Sequence, residues 1–170
     1  MHPAHIRLIA PSGHAHDPVA MARGVARLRE AGCTVDGEEA LARFAQRFAG
    51  SDAERAADIN ALATAAVLPD IALTTRGGYG AARLLTQLDY AALRERLHGA
   101  PIALVGHSDF TALQLALHAK SGLCTFSGRT LADLGAEVLE DFSWRQFWAT
   151  LTAPTAQVCW TTSARAGLDL

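Results

Sequence analysis

The sequence predicts an α/β fold: a three-layer Rossmann-like domain with a mostly parallel sheet and a turn of the nucleophile-elbow type after one strand. Short runs that are apolar throughout, such as residues 101–106 (PIALVG), are typical of strands buried on both faces. These runs alternate with stretches of helical spacing, and turns rich in glycine or proline separate them. A length of 170 residues suits one well-cored domain.

The first half of the chain is predicted to contain two strands and three helices. In order they are a strand at 5–10, a helix at 17–31, a strand beginning at 34–35, a helix at 39–48 and a helix from Ser51 to about Leu68. Gly32 is expected to stop the first of these helices. Ser51 and Glu54 have the spacing of a capping box, which predicts where the third helix begins.

The second half continues the alternation. A strand is predicted at 71–75, a helical stretch from after Gly80 to about Leu88, a helix at 90–97, a strand at 101–106, a helix at 109–120 and a weaker helix at 143–151. The pattern weakens after about residue 135. We therefore expect a nucleophile-bearing α/β domain at 1–135, followed at 136–170 by a C-terminal extension or the start of a linker to a second domain.

Three turns follow predicted strands: the first loop (residues 11–13), the glycine loop (residues 76–80) and the serine elbow (residues 106–109). In a parallel sheet, ligands bind beyond the carboxyl ends of the strands. The three turns are therefore expected to meet at one edge of the sheet and to form the site.

Composition excludes several classes of function. A formal net charge of −2, with no basic run among the aromatic residues, argues against a nucleic-acid partner. We see no signal peptide or membrane-spanning segment, so no membrane partner is expected. Three widely spaced cysteines suggest neither a disulfide framework nor a zinc site, which favours a reduced, cytoplasmic protein. No cofactor is predicted.

Ser108 is the candidate nucleophile. The segment LVG-HSD-FTALQLA places this serine at a sharp turn between a strand and a helix, where the amide of Asp109 could face a developing oxyanion. The simpler interpretation is that Ser108 or Asp109 only caps the following helix. The usual G-x-S-x-G pattern is incomplete, because Phe110 stands at the position of the second glycine.

The glycine loop, RGGYG, is the second candidate. Adjacent glycines such as Gly77 and Gly78 allow a ligand to approach the backbone closely and can present amides to an anion. It matches neither the phosphate-binding P-loop nor the dinucleotide-binding pattern. A plain strand-to-helix turn with an exposed Arg76 is the alternative.

The histidines suggest neither a metal site nor a base for Ser108. His14 and His16 lack a clear carboxylate or cysteine partner, so no metal is predicted. The side chain of His107 should point away from that of its neighbour Ser108, and His118 lies too far along the helix. A serine nucleophile needs a base within hydrogen-bond reach. The base is therefore not in evidence in this chain.

Three segments together carry a family resemblance: IAPSG (9–13), TTRGGYGAARLL (74–85) and LVGHSDFTALQLAL (104–117). Over about residues 5–135 the chain resembles the N-terminal domain of the LD-carboxypeptidase family of serine peptidases, which includes muramoyltetrapeptide carboxypeptidases and microcin-immunity-type relatives. The resemblance implies a hydrolase that removes a C-terminal D-alanine from a murein tetrapeptide in peptidoglycan recycling.

The resemblance also implies roles for individual residues. Ser108 would form the acyl-enzyme, and the amides of Asp109 and of Gly77 or Gly78 would make the oxyanion hole. Arg76 and Ser12 are weaker candidates for substrate contact. The family's triad is Ser-Glu-His, so a following C-terminal domain is expected to supply the Glu and the His, and this chain alone is expected to be nearly inactive.

One local departure and several alternatives stay open. The residues FSGR (126–129) stand where such proteins commonly read FHGP, which affects the expected pocket. A non-catalytic module binding a peptide or small molecule is the main alternative, with peptide–nucleotide amides as the substrates of microcin-immunity-type relatives. An unrelated Rossmann-like domain is the third possibility, and a homodimer is a further expected partner arrangement.

Overall fold

The computed structural model describes residues 3–153. The chain divides into two compact units, Met1–Leu139 and Glu140–Leu170. The first unit contains the sheet and the predicted site. The predicted boundary between residues 135 and 136 stays a prediction, and the last part of the predicted extension, residues 154–170, lies outside the described residues.

A five-stranded sheet with every strand pair parallel forms the centre of the first unit. Its strands are β1 (His5–Ile9), β2 (Thr34–Asp36), β3 (Ile71–Thr74), β4 (Ala103–Gly106) and β5 (Phe126–Ser127). The order across the sheet is β2-β1-β3-β4-β5. All residues of β3 and β4 are buried, as their continuous apolar runs predict.

Residues 3–153 contain six α-helices, five in the first unit and one in the second. They are α1 (Pro18–Glu30), α2 (Asp52–Thr64), α3 (Tyr90–Leu97), α4 (Thr111–Ser121), α5 (Leu131–Leu134) and α6 (Asp141–Thr152). One core cluster joins buried side chains of α2, α3 and α4 to alternate strand residues, including Ile9, Ala72 and Leu104. Across the sheet, the connection from β1 to β2 runs in the opposite direction to the connection from β3 to β4. Because such crossovers are right-handed, α1 lies on the face of the sheet opposite to α2, α3 and α4. The predicted α/β fold is confirmed.

Local sequence explains where the first helices begin. Asp17 accepts a hydrogen bond from the amide of Ala20 at 2.9 Å, and a proline follows at the first helical position of α1. Ser51 and Glu54 form the predicted capping box at the start of α2. Gly122, with φ of +66°, ends α4 in the left-handed conformation that glycine favours.

The predicted helix at 39–48 is wrong. Only a short 3₁₀ turn, Glu38–Ala42, forms there, and Ala45 and Phe48 then exchange backbone hydrogen bonds of 3.0 and 2.9 Å. Between them, Gln46 has φ of +59°, which no α-helix contains. Tertiary packing outweighs helical spacing here, because the Phe48 ring lies under the guanidinium of Arg55, 4.7 Å from the ring centroid.

Other boundaries differ more modestly. Helix α2 ends at Thr64 rather than near Leu68, and the stretch after Gly80 forms only a 3₁₀ turn, Ala81–Leu84. Strand β5 and helix α5 were not predicted. Both are short, with two and four residues, and so offer too few positions for a periodic pattern.

The sheet order places the candidate site. Strand β1 lies between β2 and β3, so the connections from β1 and from β3 leave in opposite directions across the sheet. Such a topological switch point opens a crevice at the carboxyl ends of the two strands. The first loop follows β1 and the glycine loop follows β3, and both therefore border this crevice.

The second unit contributes helix α6, close to the helix predicted at 143–151. Its Trp144 and Trp148 rings pack edge to face, with centroids 5.5 Å apart. Among the described residues, no helix combines the length and the apolar character that crossing a bilayer requires.

Candidate active site

Ser108 stands on a strained turn directly after β4. Its φ is +62°, a left-handed conformation that few residues other than glycine adopt, and its side chain is exposed. Gly106 makes the sharp turn possible, because a Cβ there would lie 2.6 Å from Phe110 Cδ1 and from Thr74 Oγ1. Phe110 is fully buried and anchors the far side of the turn. Strain of this kind, held by surrounding packing, is a common feature of functional turns.

The structure does not support the interpretation of Ser108 as a helix cap. Neither the 3₁₀ turn Ser108–Phe110 nor helix α4 has a side-chain hydrogen bond at its N-terminus. Within residues 3–153 no side chain hydrogen-bonds to the Ser108 hydroxyl. Helix capping therefore does not explain why a serine occupies this strained backbone position.

The glycine loop lies directly against Ser108. A Cβ on Gly77 would lie 2.8 Å from Ser108 Cβ and 3.1 Å from Ser108 Oγ. Only glycine therefore allows the backbone to approach the hydroxyl this closely. Gly78, with φ of +126°, instead faces Gly13 of the first loop, whose Cα would lie 3.7 Å from an added Cβ. Of the two glycines, Gly77 is the one in contact with the serine.

Asp109 ties the three loops together. Its Oδ1 accepts a hydrogen bond of 2.8 Å from the hydroxyl of Ser12, and its Oδ2 accepts one of 3.2 Å from the amide of Ala81. The first amide that donates within the turn is that of Phe110, which bonds to the carbonyl of His107. The backbone amide of Asp109 lies one residue earlier. Amides at this position have no intrahelical acceptor and remain able to bind an anion.

Ser12 and Arg76, the two residues predicted to contact the substrate, both form hydrogen bonds within the protein. Ser12 is fully buried, with 0% exposure, and its hydroxyl is directed at Asp109. Arg76 is half-buried and donates from Nη1 to the carbonyl of His14 at 3.1 Å. The amide of Gly13 donates to the carbonyl of Gly77 at 3.4 Å, so backbone and side chain both join the first loop to the glycine loop.

His107 is paired with a carboxylate and not with the Ser108 hydroxyl. Its Nε2 lies 2.8 Å from Asp133 Oδ2, at the start of α5. Burial works to raise the pKa of the Asp133 carboxyl, but hydrogen bonds from the Thr130 hydroxyl and amide and from His107 outweigh burial. The pKa of Asp133 therefore lies below its ordinary value.

The described part of the chain holds no triad and no metal cluster. No imidazole or carboxylate there is hydrogen-bonded to the Ser108 hydroxyl. Among residues 3–153, no group of three or more His, Cys, Asp or Glu side chains is arranged to hold a metal ion. The arrangement can thus present a hydroxyl and backbone donors, and among residues 3–153 no proton acceptor is hydrogen-bonded to that hydroxyl.

Arg55 is the buried residue near the site that was not predicted. Its side chain has 0% exposure, and Nη1 donates to the carbonyls of Pro11 at 2.6 Å and Gly80 at 3.0 Å. A signal for it exists in the sequence. Arg55 precedes Ile59 by four residues and Leu62 by seven, so helical spacing places it on the buried face of α2.

A parallel α/β domain with a strained serine beside a glycine loop defines the general class, an α/β fold with a nucleophile elbow. The chain belongs to the family described as LD-carboxypeptidase N-terminal domain, whose model matches residues 6–128. A Bacillus subtilis (strain 168) protein named "Probable murein peptide carboxypeptidase" is 31% identical over 133 residues, which are 78% of this chain and 40% of that protein.

Solved structures show the same likeness. The muramoyltetrapeptide carboxypeptidase from Oxalobacter formigenes has a TM-score of 0.72 and 34% identity, over 88% of this chain and 48% of its own. The microcin C7 self immunity protein MccF reaches a TM-score of 0.80 in complex with aspartyl sulfamoyl adenosine, with 28% identity. An MccF active site mutant, with a serine, an asparagine and a lysine replaced by alanine, also gives 0.80, with 27% identity.

Both MccF comparisons cover 92% of this chain and 47% of the MccF chain. The chain thus spans less than half the length of each of these three relatives.

Proposed function

We propose that this chain carries the nucleophile of a serine-type LD-carboxypeptidase, a hydrolase that releases a C-terminal D-alanine from a murein tetrapeptide. The observation that carries the proposal is the contact between Gly77 and the hydroxyl of the strained Ser108. Family membership supports a peptidase, and a murein peptide carboxypeptidase is among its relatives. Reaction in the cytoplasm, as part of peptidoglycan recycling, belongs to the same proposal.

In the proposed reaction, Ser108 Oγ attacks the carbonyl carbon of the L-centre. The proton of the Ser108 hydroxyl passes through the proposed triad His to the amide nitrogen, the C–N bond breaks, D-alanine leaves with a free amine, and the peptide stays on Ser108 as an ester. Water then hydrolyses the ester and regenerates the hydroxyl. The amides of Asp109 and of Gly77 or Gly78 would stabilise the oxyanion, and one such donor is worth about 3 kcal/mol of barrier.

The geometry favours Gly77 over Gly78 as the second donor, because Gly77 is the residue in contact with Ser108. Arg76 and Ser12 are proposed to act at the site's edge. Arg76 is half-buried, and its Nη2 would lie 3.7 Å from a Cβ added at Gly78. Ser12 would act through Asp109. The Glu and His of the triad are proposed to come from a C-terminal domain beginning after a linker at 136–170.

The test uses the complete gene product, including any residues encoded after Leu170. We expect it to release D-alanine from a murein tetrapeptide, and Ser108→Ala to abolish release. A serine-directed fluorophosphonate should label the peptide that contains Ser108. Ser51→Ala, at an exposed helix cap, is the control for lost stability and should retain both activities. Unchanged turnover in Ser108→Ala would remove the serine from the mechanism.

A second candidate function is cleavage of a peptide–nucleotide amide. It is favoured by the TM-score, which is higher against MccF (0.80) than against the muramoyltetrapeptide carboxypeptidase (0.72), although sequence identity ranks them in the opposite order. Parallel assays with the murein tetrapeptide and with an aspartyl-adenylate analogue that has a cleavable amide distinguish the two. Saturable binding of the tetrapeptide without turnover would instead favour a non-catalytic binding module.

A further inference from the structure

Arg55 is a buried cation whose hydrogen bonds extend beyond its own helix. It lies in the first turn of α2, and Nη2 donates to Asp52 in the same turn. Nη1 donates to the carbonyls of Pro11 and Gly80. Burying a guanidinium is costly unless charge and hydrogen bonds compensate it. The compensation comes from one carboxylate and from two carbonyls that belong to different loops.

These two carbonyls belong to the loops that border Ser108. Pro11 opens the first loop, and Gly80 closes the glycine loop. Gly80 has φ of +107°, and a Cβ there would lie 2.7 Å from Arg55 Nη1, so the loop backbone rests directly on the guanidinium. Only two residues, Gly78 and Tyr79, separate Gly80 from Gly77. A shift of Gly80 is therefore transmitted over a short, constrained path to the backbone beside Ser108.

The surroundings of Arg55 keep the guanidinium from moving. Its Cζ lies 4.7 Å from the centroid of the Phe48 ring, and Asp52 holds its other end. Arg83 shares both partners: its Cζ lies 5.3 Å from the same ring, and its Nε donates to Asp52 Oδ2 at 2.8 Å. The Arg83 side chain, however, is 60% exposed and donates to neither loop carbonyl; only the Arg83 backbone amide bonds to the Gly80 carbonyl, at 3.1 Å, and a substitution leaves that bond in place. The chain therefore provides a matched pair of arginines.

We propose that Arg55 is a positioning residue, which holds the first loop and the glycine loop at a fixed separation so that the Gly77 backbone faces the Ser108 hydroxyl. This inference rests on the proposed function for its catalytic consequence. An oxyanion donor acts on the transition state, so its displacement lowers kcat more than it raises KM. Lysine cannot replace Arg55, because an ammonium lacks the planar fork that reaches two carbonyls and a carboxylate together.

The experiment compares Arg55→Met, Arg55→Lys and Arg83→Met in the complete gene product. We expect Arg55→Met to lower kcat for D-alanine release about 10- to 100-fold, with KM changed less than about threefold. Arg55→Lys should show a smaller loss in the same direction, and it decides the question if Arg55→Met does not fold. Arg83→Met should stay within about twofold of the unmodified protein.

Amide hydrogen exchange gives a readout that does not depend on catalysis. In a Ser108→Ala background, we expect Arg55→Met or Arg55→Lys to speed exchange in residues 11–13 and 76–80 at least about tenfold, while Arg83→Met does not. Folded Arg55 variants whose loop exchange and kcat match Arg83→Met would overturn the proposal. If the unmodified protein releases no D-alanine, the proposed function fails, and the exchange comparison still decides the role of Arg55.

Discussion

The hydroxyl of Ser12 donates a hydrogen bond of 2.8 Å to Asp109 Oδ1, across 97 residues of sequence. The other carboxylate oxygen of Asp109 accepts the amide of Ala81, at the end of the glycine loop. The residue next to the candidate nucleophile is thus fastened to both neighbouring loops. Because Ser12 is fully buried, water does not compete with this bond.

The first prediction concerns the energy of that connection. Asp109→Ala leaves the buried Ser12 hydroxyl without its acceptor, so we expect the free energy of unfolding to fall by about 2 kcal/mol. Ser12→Ala should cost about 1 kcal/mol. Because both variants remove the same bond, the double variant should cost less than the sum of the two. Urea denaturation of the 170-residue chain measures all three, and strict additivity would show that the two side chains do not interact.

The second prediction separates strain from chemistry at Ser108. A non-glycine residue at φ of +62° carries strain of about 1–3 kcal/mol, part of which is offset by the greater flexibility of an unfolded glycine. We therefore expect Ser108→Gly to have a free energy of unfolding about 1 kcal/mol above that of Ser108→Ala. Neither variant has a nucleophile, so both should be inactive. Equal stability of the two variants would mean that the turn is not strained.

The third prediction tests the closeness of the glycine loop to Ser108. Gly77→Ala puts a methyl group 2.8 Å from Ser108 Cβ, so the loop must move away. We expect the rate of fluorophosphonate labelling at Ser108 in the complete gene product to fall about 100-fold, the usual cost of losing an oxyanion donor.

Gly128→Ala is the control for this variant. Like Gly77, Gly128 lacks a positive φ, and an added Cβ would meet only the tip of Val105, at 3.2 Å. Labelling should stay within about threefold of the unmodified protein, because at 3.2 Å the Val105 methyl group has to shift by only a few tenths of an ångström. A Gly77→Ala protein that is labelled as fast as Gly128→Ala would contradict the proposed donor.

The fourth prediction concerns pH and Asp133. Because the pKa of this carboxyl is lowered in the folded chain, it stabilises the fold above its ordinary pKa of about 3.9. That contribution is lost as the pH falls through the folded-state value. Asp133→Asn keeps an acceptor for Thr130 but removes the charge that faces His107.

We expect the unmodified chain to be more stable than Asp133→Asn at pH 7 and the difference to shrink as the pH falls below about 4. Urea denaturation at pH 7, 5 and 3.5 measures it. His107→Ala, which removes one of the three hydrogen bonds that lower the pKa of Asp133, should reduce the same pH dependence only in part. A constant difference across this range would show that Asp133 is not coupled to folding through its charge.

Much of the architecture could be predicted because each main element has a local cause. The apolar runs of β3 and β4 indicate burial on both faces, and the Ser51–Glu54 capping box sets the start of α2. The helix predicted at 39–48 does not form, because the spacing of this segment is helical while its conformation depends on Phe48, which packs against two guanidinium groups. No local pattern contains that information.

The candidate site divides in the same way. Ser108, Gly77 and Gly78 were selected as candidates by residue type and by their places after strands, which are local properties. Which glycine contacts the serine depends on how two loops approach each other in space, and the structure assigns that contact to Gly77. The Ser12–Asp109 bond depends on residues that sheet pairing brings together, and the contacts of the buried Arg55 depend on how α2 packs against the sheet.

The sequence by itself determined the class of fold, the identity of the serine turn and the presence of a glycine loop, because strand burial, turn chemistry and capping act over a few residues. Only the tertiary structure decided the strain at Ser108, the contact with Gly77 and the hydrogen bonds from Arg55 to two loops. These depend on parallel pairing of β1, β3 and β4, which joins segments tens of residues apart. Such pairing comes from burial of the whole sheet and not from any one segment.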